Sequence, residues 1–160
     1  MHALYPISGN PPTFGHADIA ARASRLFSQV TWALGFNPNK TYEVPVETRL
    51  EMMRDYVAHL KLDNVNVAAY EGATVRFAEK TGAEVLVKGL RNPADLQAEM
   101  EQAFGNRGMN PQMETVVLLA SPEHALVNST LIRELIKLGE NVDRYVLPSV
   151  AESMRKALGI

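Results

Sequence analysis

The sequence predicts an α/β fold in which a parallel sheet carries helices on both faces. Short β-branched and apolar runs alternate along the chain with longer stretches of helical periodicity. This alternation is typical of strand–helix–strand units, whose strands pair in parallel. The 160 residues, 46% apolar and 21% charged, suffice for a single domain over residues 1–160 with a core of its own.

The first half of the chain contains two predicted strands and two predicted helices. Ala3–Tyr5 is a short apolar strand, which we expect to end at Pro6. A turn-rich segment then leads into a helix over Gly15–Phe27, because apolar residues recur there at helical spacing. Val30–Phe36 is the second strand, and Val46–Leu60 has the periodicity of a helix.

The second half continues the alternation. Val65–Ala69 is the third strand, and the short helix Thr74–Lys80 is closed by Gly82, a residue common just past a helix end. The remaining elements are predicted at Glu84–Lys88 (strand), Asn92–Phe104 (helix), Thr115–Ala120 (strand), Ser129–Leu138 (helix) and Ser149–Leu158 (helix).

Composition excludes several classes of function. The chain has no cysteine, so it has no disulfide and no thiolate site, and we expect a reducing compartment, the cytoplasm. Met1 is followed by neither a basic segment nor a long apolar stretch, so we expect no signal peptide. No apolar run comes near the ~20 residues of a membrane-spanning helix, which argues against a membrane protein. The net charge of −2 argues against broad nucleic-acid binding.

In a parallel sheet, ligands bind beyond the carboxyl ends of the strands. The first strand is followed there by Thr13-Phe14-Gly15-His16 at the start of a helix, where backbone N–H groups and the helix dipole favour anions. His16 would add a donor. The segment is neither a Walker A loop nor a G-x-G-x-x-G fingerprint, and a turn of this kind can also be purely structural.

Three cations follow other predicted strands. Lys40 comes after the second strand, and Lys88 and Arg91 come at the end of the fourth, so all three are expected at the same edge as His16. A convergent basic site suits polyphosphate chemistry. Ser129 and Thr130 begin a later helix; taken alone, they are interpreted as helix caps, with phosphate binding as the alternative.

These residues together resemble the phosphopantetheine adenylyltransferases, members of the nucleotidyltransferase superfamily that is marked by a (H/T)-x-G-H motif. The similarity covers nearly the whole chain and includes a T-x-G-H and an S-[ST]-x-x-R motif in this order. Its segments are Tyr5-Pro6, Pro11, Thr13-Phe14-Gly15-His16, Asn37-Pro38-Asn39-Lys40, Glu47, Arg49, Gly89-Leu90-Arg91, Asn106-Arg107, Ser121-Pro122-Glu123 and Ser129-Thr130-Leu131-Ile132-Arg133-Glu134.

The resemblance implies a Rossmann-like, doubly wound five-stranded sheet with a short helical C-terminal region. It also implies transfer of the adenylyl group of ATP to 4'-phosphopantetheine in coenzyme A biosynthesis, with Mg²⁺. The matching catalytic positions are His16, Lys40 and Arg91. The matching ATP-binding positions are Ser8, Gly9, His16, Gly89, Leu90, Arg91, Glu99, His124, Ala125, Leu126, Val127, Asn128, Ser129 and Thr130. The matching acceptor-binding positions are Ser8, Lys40, Thr74 and Lys88.

The resemblance further implies a homohexamer and feedback binding of coenzyme A. The sequence departs from the family pattern G-T-F-D-P at Ile7, Gly9 and Asn10, and Lys88 replaces an arginine. These departures affect the acceptor side most. An adenylyltransferase that uses nicotinamide mononucleotide is therefore one alternative, and a nucleotide-binding regulatory protein without turnover is another.

Overall fold

A computed structural model describes all 160 residues, and its centre is one parallel sheet of five strands. The strand order is β3-β2-β1-β4-β5, so the order reverses between β1 and β4. The strands are β1 (His2–Ile7), β2 (Gln29–Phe36), β3 (Val65–Glu71), β4 (Val85–Leu90) and β5 (Glu114–Leu119). The predicted α/β class, the five strands and their parallel pairing are confirmed.

Six α-helices surround the sheet, as predicted. They are α1 (Phe14–Leu26), α2 (Val46–His59), α3 (Thr74–Thr81), α4 (Pro93–Met109), α5 (Ser129–Lys137) and α6 (Pro148–Leu158). A single 3-10 turn, Pro122–His124, lies between β5 and α5. No helix is long and apolar enough to cross a membrane.

The two faces of the sheet have cores of different size. The larger core contains 26 buried residues, among them Trp32, Tyr56 and Met154, and joins the sheet to α1, α2, α5 and α6. The smaller core, with Leu4, Leu86 and six others, lies on the opposite face beneath α3. Alternate residues of each strand point to opposite faces, which is why Leu4 belongs to one core and its neighbours to the other.

The predicted end of the first strand at Pro6 is wrong. β1 continues through Pro6 to Ile7, paired with β2 over six residues. Its pairing with β4, in contrast, involves only Ala3 and Leu4. Proline has no N–H to donate to a neighbouring strand. The carboxyl ends of β1 and β4 therefore do not pair with each other at the point where the strand order reverses.

Helix α4 is longer than predicted. The sequence prediction ends it at Phe104, before a glycine, but the helix runs through Gly105 and Gly108 to Met109. Contacts outside the helix support this last turn, because Asn106 is buried and Arg107 pairs with Glu114 at 3.5 Å. Tertiary contacts thus outweigh the roughly 0.5–1 kcal/mol that glycine costs inside a helix.

Candidate active site

A cleft of about 690 Å³ opens where β1 and β4 separate. Its floor is formed by the ends of these two strands, including Pro6 and Gly89, and its walls by the N-terminal ends of α1 and α5. Most of the residues that line it are polar. The cleft therefore lies at the position that the fold rule for open α/β sheets assigns to ligands.

His16 lies in the first turn of α1 and is fixed by the residue that caps this helix. The Thr13 N–H donates to Nδ1 of His16 at 3.0 Å, and the Thr13 hydroxyl lies 3.1 Å from the same nitrogen. Since Nδ1 accepts, the ring proton of the neutral imidazole lies on Nε2. Burial, and to a smaller extent the charge of Arg91, together lower the pKa of His16 to about 4. At neutral pH His16 is thus an uncharged donor on the wall of the cleft.

The start of α1 is also tied to the C-terminal part of the chain. The Phe14 N–H donates to the carbonyl of Tyr145 at 2.9 Å, so it does not face a ligand. The buried hydroxyl of Tyr56 donates to the carbonyl of Pro12 and accepts from the Leu147 N–H, both at 3.3 Å. Of the first three N–H groups of the helix, only that of Gly15 has no protein acceptor.

Gly15 lies beside the segment between β5 and α5. A Cβ on Gly15 would lie 3.4 Å from the Cβ of His124. His124 and His16 line the same cleft.

Lys88 of β4 and Arg91, just after the end of that strand, both line the cleft, and each pairs with an acidic residue of α4. Arg91 binds both carboxylate oxygens of Asp95, at 2.9 and 3.2 Å, and donates to the carbonyl of Val127 at 3.0 Å. Lys88 lies 3.0 Å from a carboxylate oxygen of Glu99. The carboxylates of α4 thus partly neutralise both cations, and an anionic ligand would have to compete with them.

Helix α5 contacts the loop between β1 and α1, residues 8–13, which we call the first loop. Ser129 donates its hydroxyl to the carbonyl of Pro11 at 2.7 Å, and Arg133 donates to the carbonyl of Asn10 and to the Thr130 hydroxyl. The interpretation of Ser129 and Thr130 as caps is wrong. The cap is Asn128, whose side-chain oxygen accepts from the Leu131 N–H at 2.9 Å, so the two hydroxyls are left for other partners.

Five of the predicted site residues lie outside the lining of the cleft: Gly9, Lys40, Leu90, Ala125 and Leu126. Gly9 is buried with a positive φ of 51°, and a Cβ there would come within 2.9 Å of Ile7. A residue without a side chain is therefore needed at this point of the loop. Leu126 is 87% exposed. The other predicted positions line the cleft: Ser8, His16, Thr74, Lys88, Gly89, Arg91, Glu99, His124, Val127, Asn128, Ser129 and Thr130.

Lys40 departs most clearly from the expected convergence of cations. It is exposed at the tip of the segment between β2 and α2. That segment folds back on itself, since the Lys40 N–H donates to the carbonyl of Asn37 and the Asn37 N–H donates to the Tyr42 hydroxyl. This local turn holds Lys40 away from the cleft.

The structure adds residues that the sequence prediction did not assign to the site. Tyr42, Tyr70 and Arg133 line the cleft. Arg49 lies just behind it, fully buried, with its guanidinium 4.2 Å from the ring centre of Tyr42 and one N–H donating to the carbonyl of Ser8. Arg133 could have been found as the arginine of the S-[ST]-x-x-R motif, whereas the two tyrosines carry no motif.

The comparisons with known proteins agree with this geometry. The model of the cytidylyltransferase-like family matches residues 8–135. A phosphopantetheine adenylyltransferase of Synechococcus sp. (strain JA-3-3Ab) is 46% identical over 98% of this chain and 97% of its own length. One of Nostoc punctiforme is 40% identical over 94% of this chain and 81% of its own. The chain belongs to the phosphopantetheine adenylyltransferases.

Solved structures support the fold of this family member. A putative nicotinate-nucleotide adenylyltransferase from Vibrio parahaemolyticus has a TM-score of 0.72 at 18% identity, over 98% of this chain and 93% of its own. A Plasmodium falciparum nicotinic acid mononucleotide adenylyltransferase has a TM-score of 0.70 at 12% identity, over 97% and 94%. At these identities the similarity shows a shared fold and does not decide the acceptor.

Proposed function

We propose that this adenylyltransferase transfers the adenylyl group of ATP to 4'-phosphopantetheine, giving dephospho-coenzyme A and pyrophosphate. The observation that carries the proposal is the uncharged His16 donor on the same cleft as Lys88, Arg91 and Arg133. Family membership supports the choice of substrates, because the relatives are named for this acceptor.

The proposed reaction is an in-line displacement without a covalent enzyme intermediate. An oxygen of the acceptor phosphate forms a bond to the α-phosphorus of ATP. The bond from that phosphorus to the bridging oxygen breaks, and pyrophosphate leaves with the electron pair. Nε2–H of His16 would donate to an oxygen on which charge develops, and Arg91 would neutralise charge on the phosphates. Fixed donors of this kind stabilise a transition state without reorganising during the reaction.

The acceptor phosphate would bind in the part of the cleft that is lined by Lys88 of β4 and by Thr74 at the start of α3. Lys88 and Thr74 both line that cleft, and the Thr74 hydroxyl lies 2.7 Å from that of Tyr70. In this proposal Lys40, predicted for both catalysis and acceptor binding, reaches the cleft only after its segment has moved.

Magnesium also belongs to the proposal. The chain has no group of three or more His, Asp or Glu residues that could hold a metal ion, and the cleft carboxylates Asp95 and Glu99 already pair with Arg91 and Lys88. Mg²⁺ usually keeps several waters and binds through substrate phosphates with one or two carboxylates. These residues therefore suit an ion that arrives with the triphosphate and neutralises part of its charge.

The proposal also includes association of several subunits. Helix α4 buries only Asn106 and leaves Leu96, Met100 and Phe104 exposed at a spacing of four residues. Val117 and Leu119 of the edge strand β5 are exposed as well. We call these five residues the α4–β5 surface and propose that it joins subunits. The hexamer, coenzyme A feedback and a cytoplasmic location stay predictions of the resemblance and of the composition.

The deciding experiment is magnesium-dependent pyrophosphate release from ATP with two acceptors in parallel. Release with 4'-phosphopantetheine is the expected result. Release only with nicotinamide mononucleotide would keep the chemistry and overturn the acceptor. No release with either, while ATP still binds, would favour a regulatory protein that has lost turnover.

A further inference from the structure

A second, smaller pocket of about 240 Å³ adjoins the active-site cleft, and no apolar side chain lines it. Asn10, Thr130 and Arg133 line both pockets, so the two share a wall. The remaining lining residues of the small pocket are Thr41, Glu43, Glu134 and Lys137. A polar space that opens onto a candidate polyphosphate site is a natural place for a charged group.

In the structure, the charged side chain of Glu43 lies at this small pocket. One of its carboxylate oxygens lies 3.1 Å from Nε of Arg133, and the other is hydrogen bonded to Nζ of Lys137. The hydrogen bond from Lys137 lowers the pKa of the Glu43 carboxyl, so the group is ionised at neutral pH. A carboxylate therefore bridges the two cations of α5.

Arg133 reaches from this pocket to the active-site cleft. Its Nη1 donates to the carbonyl of Asn10 in the first loop, and its Nη2 lies 3.3 Å from the Thr130 hydroxyl. The Nε edge faces Glu43. Arginine binds carboxylate and phosphate with the same planar set of donors, so these two anions are interchangeable partners for it.

Glu43 also controls the position of a chain segment. It belongs to residues 37–45 between β2 and α2, the segment that carries Lys40. The two ion pairs tie this segment to α5, and within the segment Lys40 stays exposed and outside the cleft. All three partners are solvent-accessible, with 41% of the Glu43 side chain exposed. Ion pairs of this kind are weak, so a more highly charged anion can replace the carboxylate.

We propose that Glu43 is an internal substitute for a nucleotide phosphate. In the free protein it occupies Arg133 and Lys137 and holds the segment 37–45. When the polyphosphate of a nucleotide enters the cleft, a phosphate replaces the carboxylate on Arg133, and the segment with Lys40 is released. The inference rests on the proposed function, because it requires a polyphosphate in the active-site cleft. Glu43 is thus a positioning residue that competes with the substrate.

The test is the dissociation constant of ATP, measured by calorimetry without acceptor for wild type, Glu43→Gln and the control Glu134→Gln. Glu134 lines the same small pocket but pairs with no cation. Removing the competing charge should tighten ATP binding by Glu43→Gln roughly three- to tenfold, the range expected for one or two exposed ion pairs. Binding by the control should stay within about twofold of wild type.

Unchanged or weaker ATP binding by Glu43→Gln, with a control that behaves like wild type, would overturn the inference alone. A wild type that does not bind ATP would instead overturn the proposed function. Hydrogen exchange of the amides of residues 37–45 provides an independent readout without ligand. We expect faster exchange there in Glu43→Gln, and exchange equal to wild type would contradict the holding role of Glu43.

Discussion

At neutral pH the imidazole of His16 carries a single proton, and that proton lies on Nε2 because Thr13 occupies Nδ1. The low pKa of about 4 means that binding and chemistry at pH 6–8 begin from the uncharged form. The side chain therefore acts as a hydrogen-bond donor of fixed direction and does not add to the positive charge of Lys88 and Arg91.

Replacing His16 by alanine tests this assignment. The loss of one positioned donor should lower kcat by roughly 10²–10³, while the dissociation constant of ATP changes only a few-fold. Steady-state pyrophosphate release and calorimetry measure the two quantities. His59, exposed at the end of α2, offers a matched His→Ala control that should keep the wild-type rate. Turnover of His16→Ala within a few-fold of wild type would rule out the transition-state role.

The depressed pKa of His16 also affects stability. In the unfolded chain the imidazole takes up a proton near its usual pKa of 6.5, whereas in the folded protein it does so only near 4. As pH falls from 7.5 to 5, the unfolded state binds more protons, so this residue makes the free energy of unfolding decrease by up to about 2 kcal/mol.

Urea unfolding of wild type and His16→Gln at the two pH values isolates this contribution. The decrease in unfolding free energy between pH 7.5 and 5 should be smaller in the variant. An equal decrease in both proteins would show that the pKa of His16 in the folded state is close to its ordinary value.

At the scale of elements, the active site depends on how α1 and α5 begin. Both helices start with a side-chain cap, Thr13 for α1 and Asn128 for α5. Both also contact the first loop. His16 of α1 accepts from the Thr13 N–H, and Ser129 and Arg133 of α5 donate to carbonyls of the loop. The first turns of α1 and α5 therefore position the first loop, and their caps also stabilise the two helices.

Asn128→Ala should lower the free energy of unfolding by about 1 kcal/mol, because the Leu131 N–H loses its acceptor. Chemical denaturation measures this loss. We also expect weaker ATP binding, since Ser129 and Thr130 of the cleft lie in the turn that frays. Asn128→Asp keeps an acceptor at the same place and serves as the control. A loss of equal size in both variants would contradict the capping role.

The elements themselves could be predicted because hydrophobic periodicity depends on local sequence. The ends of β1 and α4 could not. Proline usually ends a central strand, but here β1 has β2 as a full-length partner and passes through Pro6. Glycines usually end a helix, but the burial of Asn106 carries α4 past Gly105. In both places a contact distant in sequence outweighs the local preference.

The candidate site, like the fold, could be predicted only in part. Positions at strand ends and helix starts, such as His16, Lys88 and Arg91, line the cleft because the topology alone places them there. The position of Lys40 depends on the hydrogen bonds of a turn and on the ion pairs of Glu43, which no periodicity encodes. The cap at Asn128 was missed because three neighbouring polar residues compete for that role.

For the whole molecule, the α4–β5 surface makes association testable. Its residue Phe104 is 65% exposed, and apolar patches of this kind often mark contacts between proteins. Phe104→Asp should shift the species seen by size-exclusion chromatography with light scattering to a smaller mass. Leu138→Asp, at another exposed apolar position, should not. A wild type that is already monomeric would contradict the role of this surface.

Two hydrogen bonds join late residues of the chain to early ones. The Tyr145 carbonyl accepts from the first turn of α1, and the Leu147 N–H donates to the core tyrosine Tyr56. These bonds have a consequence for synthesis of the chain. Residues 11–14 leave the ribosome long before residues 145–147, which hold them in place in the folded protein. β5 and α5, which complete the cleft, also come late. The strands β1 to β3 can pair while translation continues, but the nucleotide pocket is assembled last. A nascent chain arrested before residue 145 would therefore have most of its sheet and an unfinished pocket.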